Sequence, residues 1–414
     1  MASPKLRFKE FGSGWNSIAI GTFLKIKSGL GFKAEEYTTA EEIRLLQIEN
    51  VGYGTVKWTH NVKYVPSDYL KLHEGLVLKE GDLVLALNRP VTNDQLKIAK
   101  LTKQDSPSIL YQRVGKLEFI KEEFDSNFIF QIFQKDVKNY VLNGSLGSDQ
   151  PFISTTDLYK YKLCLPSKEE QTKIASFLST VDEKIAQLTQ KHELLSQYKQ
   201  GMMQKLFSQQ IRFKADDGSE FGEWEEIKLG DIASKVGSGS TPRGGAEAYT
   251  EDGIIFIRSQ NVNNNQLLLD DVVYIPEQTH KKMSGSKVVA NDILLNITGA
   301  SIGRSCVVPM NFTEANVNQH VCIIRTPNDN PRFIQSFLAS KDGQNLIDSH
   351  QTGSGREGLN FQSIRSFTLN RPCLEEQTQI ANFLSAIDQK IEKVAQQIEE
   401  TKQWKKGLLQ QMFV

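Results

Sequence analysis

The most suggestive short motif is Gly353-Ser354-Gly355-Arg356-Glu357-Gly358, which satisfies the G-x-G-x-x-G spacing of a dinucleotide-binding turn. That chemistry needs a strand before the turn and a helix after it, so that backbone amides face a pyrophosphate. Here the preceding stretch, Pro331 to Ser349, reads as a helix, and the chain returns toward Leu359-Asn360-Phe361. A loop close to a polyanion fits better than a nucleotide site. There is no G-x-x-x-x-G-K-[ST] loop, and the only Asn-Pro, in Asn330-Pro331-Arg332-Phe333, reads as a helix start with proline at the first position. The six histidines lack H-x-x-x-H spacing, and Cys164, Cys306, Cys322 and Cys373 include no C-x-x-C pair. Reduced, mostly buried thiols are expected, with no metal site. No catalytic residue is assigned.

A second kind of chemistry is better represented. Base edges are read by Arg, Lys, Asn, Gln and small hydroxyls on loops or helix ends, and phosphates by cations and glycine-turn amides. Four loops in the second half of the chain concentrate such groups: Ser240, Thr241 and Arg243; Arg258, Ser259, Gln260 and Asn261 with Asn263; Thr298, Ser301 and Arg304; and Thr352, Ser354 and Arg356. Counterparts in the first half are Lys27 and Lys33; Gln47, Glu49 and Asn50; Asn88, Arg89, Thr92 and Asn93; and Ser145, Ser148 and Gln150. The competing reading for any one of them is a solvated surface side chain. With 49 basic and 49 acidic residues the net charge is zero, so a basic surface must be local.

The elements that position these loops come from an internal duplication. Glu170 to Phe207 and Glu376 to Phe413 align at a constant offset of 206 residues, with 18 of 38 positions identical and Pro166 and Pro372 in register. Apolar positions Ile174, Leu178, Val181, Ile185, Leu188, Leu195, Met202 and Leu206 step by 4 and 3, with His192 and Lys199 as interruptions. The second copy runs through Ile380, Leu384, Ile387, Ile391, Val394, Ile398, Leu408 and Met412, with Thr401 and Lys405 as its weak places. So long a seam predicts a coiled coil, each helix about 57 Å long at about 1.5 Å per residue.

The globular parts repeat as well. Leu6-Arg7-Phe8, Gly14-Trp15 and Ser28-Gly29 return as Ile211-Arg212-Phe213, Gly222-Glu223-Trp224 and Gly237-Ser238-Gly239, and Gly81-Asp82-Leu83 returns as Asn291-Asp292-Ile293. The reading is residues 1–165, a first α/β (α+β) domain; 166–210, a helix; 211–371, a second domain; and 372–414, a second helix. Strands are expected over Ile18 to Ile26, Arg44 to Val51 and Leu83 to Leu87, and helix over Phe128 to Leu142. An antiparallel pairing of the two helices is the simpler arrangement. It would make the chain pseudo-twofold, a match for duplex DNA. No stretch approaches 18 apolar residues and no hydrophobic signal core opens the sequence, so a cytoplasmic, non-membrane protein is expected.

The whole chain resembles the specificity subunits of type I restriction-modification enzymes. The resemblance is carried by the P-x-x-E-E-Q-x-x-I-A-x-F-L-S-x-x-D-x-K-I helices starting at Pro166 and Pro372, by Gly237-Ser238-Gly239-Ser240-Thr241-Pro242, and by Asp292-Ile293-Leu294-Leu295 followed by Gly299-Ala300-Ser301-Ile302-Gly303. The first domain departs from the pattern, its turn reading Ser28-Gly29-Leu30-Gly31-Phe32 without Thr-Pro. The resemblance implies a non-catalytic reader whose two target recognition domains each bind half of a split duplex DNA sequence. It also implies two docked methyltransferase subunits that modify an adenine in each half, and motor-nuclease subunits that join them. S-adenosylmethionine, ATP and Mg are then expected on the partners and none on this chain. Phe177, Tyr198, Phe383 and Trp404, beside the seam at equal positions, either widen the helical core or anchor the methyltransferases. Two other readings stay open: a self-contained methyltransferase, and a scaffold holding two protein partners apart.

Overall fold

The computed structural model describes residues 3–144, 152–242, 244–263, 265–351 and 358–414. Two compact units divide the chain: Met1–Leu188 with Gln396–Val414, and Thr189–Ala395. The division falls inside both long helices, Lys168–Phe207 and Leu374–Met412. Each unit therefore contains one globular domain, the beginning of the helix that follows it, and the end of the other helix.

The two domains share one plan. In the first, a sheet of Leu24–Ser28, Val114–Phe119, Leu83–Ala86, Ile98–Lys100 and Gly54–Thr55 lies beside one of Tyr64–Val65, Ile43–Leu46, Ser108–Leu110 and Val77–Leu78. In the second, the equivalents are Lys235–Ser238, Val321–Arg325, Ile293–Asn296 and Ser305–Val307, then Val273–Ile275, Ile254–Ile257, Ala315–Val317 and Lys287–Val288. Leu83–Ala86 and Ile293–Asn296 are buried at every position, which is why Leu83–Ala86 and Ile293–Leu295 read as unbroken apolar runs instead of alternating ones.

Three expected elements turn out shorter. The run from Ile18 is interrupted by a 3-10 turn, Ile20–Thr22, where the chain leaves its pairing with Lys162–Leu165 for the larger sheet. The strand from Arg44 stops at Leu46 before the turn Ile48–Asn50. The helix expected over Pro331 to Ser349 is two helices, Pro331–Ala339 and Lys341–Ser349. Ser340 breaks it by taking an extended conformation and accepting a hydrogen bond from Gly343 N at 3.1 Å. The bend is tight enough that a Cβ on Gly343 would sit 2.1 Å from Phe337 O.

The helices pack antiparallel. In the first unit the start of one meets the end of the other, burying Ile174, Leu178 and Val181 with Leu408, Met412 and Phe413. In the second, Met203, Leu206 and Phe207 share a core with Ile380, Ala381 and Leu384. Met203 is buried, and Met202 only partly so. The polar interruptions have a use: Lys405 Nζ lies 2.7 Å from Asp182 in the first unit, and Lys199 Nζ lies 2.6 Å from Asp388 in the second.

Domain and helix are joined by a clamp built twice. Glu170, fully buried, receives Arg7 Nε and Nη2, both at 2.7 Å, with Trp15 Nε1 at 3.4 Å. Glu376 receives Arg212 Nε at 3.1 Å and Nη2 at 2.8 Å, and Trp224 Nε1 at 3.0 Å. Donating hydrogen bonds to these carboxylates pushes each arginine pKa up. The next residue completes the joint. Gln171 Nε2 donates to Pro166 O and its Oε1 accepts from Asp125 N, while Gln377 Nε2 donates to Pro372 O and Oε1 accepts from Asn330 N. Asp125 and Asn330 in turn cap the helices Ser126–Gly144 and Pro331–Ala339. The repeated Glu-Gln pair is thus an internal fastening.

Candidate nucleic-acid interface

At one edge of each domain, backbone hydrogen bonds stitch separate loops together. In the first domain Gly29 N donates to Val114 O, Gln112 N to Leu30 O, Leu87 N to Arg113 O and Ile153 N to Leu87 O, at 2.8–3.1 Å. These bonds gather residues 28–33, the loop after Leu83–Ala86 and the turn 111–113 that carries the chain from Ser108–Leu110 in one sheet to Val114–Phe119 in the other. In the second domain Gly239 N donates to Asn318 O, Ile297 N to His320 O and Leu359 N to Ile297 O, at 2.9–3.1 Å. The same three places meet again: 239–242, 297–304 and 318–320. Both turns need glycine, since a Cβ on Gly29 would lie 2.3 Å from Tyr111 O and one on Gly239 would lie 1.7 Å from Val317 O.

Several expected contact residues stand on this edge. Lys33, Asn88, Arg89, Asn93, Ser240, Thr241 and Arg304 are exposed, and Thr298 and Ser301 are partly buried. Arg89 and Asn93 hold φ of 45° and 51°, a left-handed backbone that turns their side chains out of the strand direction. Residues 47–57 reach the neighbouring hairpin through Lys97 Nζ to Ile48 O at 2.6 Å and Tyr53 OH to Thr92 Oγ1 at 2.6 Å. Burial pushes the Lys97 pKa down.

Other expected residues do different work. Asn50 and Asn261 are buried, with Oδ1 accepting from Gln47 N and Arg258 N, both at 2.9 Å. Their Nδ2 groups donate to Lys57 O and Leu268 O. Both amides are used inside their loops and hold them in shape, so neither is offered to a base. Lys27 is also off the edge: it lies half-buried in Leu24–Ser28 beneath the turn at Gly75. Gln47 is half-buried. Gln260 donates to Asp271 at 2.6 Å and Arg258 approaches the same carboxylate at 3.7 Å, so this loop neutralises its own cation. Ser148, Arg243, Ser354 and Arg356, together with Ser145, Gln150 and Thr352, lie outside the described residues.

The sequence reading missed the turns that link the two sheets of each domain, 111–113 and 318–320. Gln112 and Arg113 are exposed at the first. At the second, Gln319 and His320 bond to Thr241 and Thr298. Only the alignment of Gly29 with Gly239 pointed toward them.

On the helices, Tyr198 and Trp404 are 51% and 53% exposed. Phe177 is half-buried, edge-on to Phe8 at 5.9 Å and to Trp404 at 6.1 Å, and Phe383 is half-buried against Phe213 at 5.6 Å. The two phenylalanines belong to the packed helix flank and the other two aromatics to its surface. Burial pushes the Cys306 and Cys322 thiols up to about 12, which leaves them protonated and unreactive. Among the described residues no three His, Cys, Asp or Glu side chains group as a metal site, and no helix is long and apolar enough to cross a membrane.

With this geometry in place, comparison with known proteins is informative. The family model described as type I restriction modification DNA specificity domain matches residues 12–197 and again 222–403. The MjaVIII type I restriction enzyme specificity subunit of Methanocaldococcus jannaschii is 36% identical over 211 residues, which is 51% of this chain and 49% of that protein. The EcoBI specificity subunit of Escherichia coli is 24% identical over 391 residues, 88% of this chain and 77% of that one. The chain spans 49%, 29% and 62% of the length of the MjaVIII, EcoAI and MjaX subunits it matches. A crystal structure of the type I restriction-modification S subunit from M. genitalium superposes with a TM-score of 0.60 at 15% identity, covering 100% of this chain and 99% of that one, which establishes likeness of fold. With both halves matched, the chain belongs to the type I restriction-modification DNA specificity domain family.

Proposed function

We propose that this chain is the non-catalytic DNA-reading subunit of a type I restriction-modification complex, with each domain reading one half of a split duplex site. The observation that carries the reading is the repeated edge: three loops meet at corresponding places in both domains and present exposed Lys33, Arg89 and Arg113 in one and Arg304 in the other. Cations and hydrogen-bonding side chains on a preformed loop edge suit phosphates and base edges. The length of the two long helices would set the number of unread base pairs between the half-sites.

Two adenine-N6 methyltransferase subunits dock on the duplicated helix surface, where Tyr198 and Trp404 supply exposed aromatic anchors, Trp404 backed by Phe177. Motor-nuclease subunits join that assembly in the cytoplasm. S-adenosylmethionine, ATP and Mg belong to those partners, and the methyl transfer and cleavage are theirs.

The test is sequencing of adenine methylation in a methylation-free host that expresses the cognate methyltransferase subunit with and without this chain. A split motif with a fixed gap, appearing only when the chain is present, is the expected result. No new motif from a properly assembled complex would favour a protein scaffold instead. Methyl transfer by the isolated chain would favour an enzyme.

A further inference from the structure

The polar cluster on the turn 318–320 of the second domain, which links its two sheets, is built more fully than a surface loop requires. Thr241 Oγ1 donates to Gln319 Oε1. Gln319 Nε2 lies 3.0 Å from His320 Nε2, and His320 Nδ1 lies 2.5 Å from Thr298 Oγ1. One arrangement of protons satisfies all three contacts: a neutral imidazole protonated on Nδ1, donating to Thr298 and accepting from the Gln319 amide. Beneath it the backbone is fixed, with Asn318 Oδ1 accepting from His320 N at 3.0 Å, Asn318 O from Gly239 N at 3.1 Å, and His320 O from Ile297 N at 3.0 Å.

The arithmetic of the amide is what matters. Gln319 is exposed. Its carbonyl oxygen has two lone pairs and its nitrogen two hydrogens, and the cluster uses one of each. One acceptor and one donor remain on an amide whose orientation its neighbours hold. That is the pair of groups that recognises adenine in the major groove, accepting from N6 and donating to N7. A glutamine already held by neighbours loses less rotamer freedom on binding than a free one.

We infer that Gln319 is a specificity-determining residue that reads an adenine of the half-site bound by the second domain, with Thr241 and His320 as its positioning residues. This rests on the DNA-reading function proposed above. Gln112 stands at the same turn of the first domain, where its Nε2 has only a long 3.4 Å contact with Tyr111 OH and no imidazole beside it. It offers the same amide without the same preorganisation.

The experiment measures binding of the chain, assembled with its methyltransferase subunit, to duplexes randomised one position at a time. For Gln319→Ala we expect a loss of about tenfold in preference for adenine at one position of one half-site, in line with the discrimination of a bidentate contact. The other half-site and the salt dependence should stay as in the parent. Gln319→Glu exchanges the donor for an acceptor and should move the preference at that position toward cytosine, whose N4 is a donor. His320→Ala should weaken the adenine preference by a smaller factor at the same position. An unchanged base profile in both Gln319 variants, or a uniform loss across all sequences, overturns the assignment while leaving the DNA-reading function standing. A parent complex with no sequence preference at all would overturn both.

Discussion

The two domains agree where they are fastened to the helices and differ where they face outward. Arg7, Trp15 and Glu170 reproduce Arg212, Trp224 and Glu376 nearly bond for bond. At the outer edge, the Thr241–Gln319–His320–Thr298 cluster is answered in the first domain by Gln112 beside a Tyr111–Tyr37 hydroxyl pair at 3.1 Å. The difference has a physical cause. A buried carboxylate stripped of its cation is severely penalised, so the clamp resists change. An exposed turn side chain can be exchanged at little cost to folding, so the edge is free to diverge.

The strongest way to break this comparison is to remove one clamp. Glu376→Ala leaves Arg212 and the Trp224 N–H without their partner and should destabilise the second unit by about 4 kcal/mol. Glu170→Ala should cost the first unit a similar amount, and denaturant unfolding of each variant measures it. A clamp that proves indispensable in only one unit would end the claim of equivalence.

Cavity variants sharpen the same point. Leu178 and Leu384 occupy equal positions and are 0% and 1% exposed. Each Leu→Ala change should cost about 3 kcal/mol, and a difference of more than about 1.5 kcal/mol between them would show that the two helix starts are packed differently.

Acidity should separate the units. Burial pushes the Asp136 carboxyl up from 3.8 to about 6, while the corresponding place in the second domain is Lys341. The folded state then holds the proton more tightly than the unfolded state, so stability falls as pH rises from about 4 through 6. A carboxyl so displaced should cost about 3 kcal/mol above that window. Asp136→Asn should flatten the pH dependence of unfolding of the first unit, and an unaltered profile would contradict the assignment.

The smallest effect belongs to the lysines on the seam. Asp388 and Asp182 are 45% and 38% exposed, so Lys199→Met and Lys405→Met should each change stability by only about 0.5 kcal/mol. A double-mutant cycle with the paired aspartate reads this directly.

Much of the frame was legible because periodicity and a constant offset are properties of the chain itself: Ile174 to Val181 and Ile380 to Ile387 mark their buried face by spacing alone. The edge was less so. Asn50 and Asn261 have the composition of base readers, yet their burial depends on turns that complete themselves only in three dimensions. Gln319 and His320 carry no motif, and their importance arises from Thr241 and Thr298, 78 and 22 residues away. The break at Ser340 could have been read from Ser340 standing three residues before Gly343, but the apolar pattern across it was stronger.

The most direct test of the central account, one half-site per domain, is the methylated motif of a chain carrying residues 1–207 twice in tandem. Such a chain keeps a Lys199 and an Asp182 in each repeat, so the seam pairing retains its charges. Expressed with the cognate methyltransferase subunit in a methylation-free host, it should direct methylation to a palindromic split motif. Both halves of that motif should be the one read by the first domain of the parent, in inverted orientation. An assembled complex that still marks the parent's asymmetric motif, or one that marks none, would contradict the account.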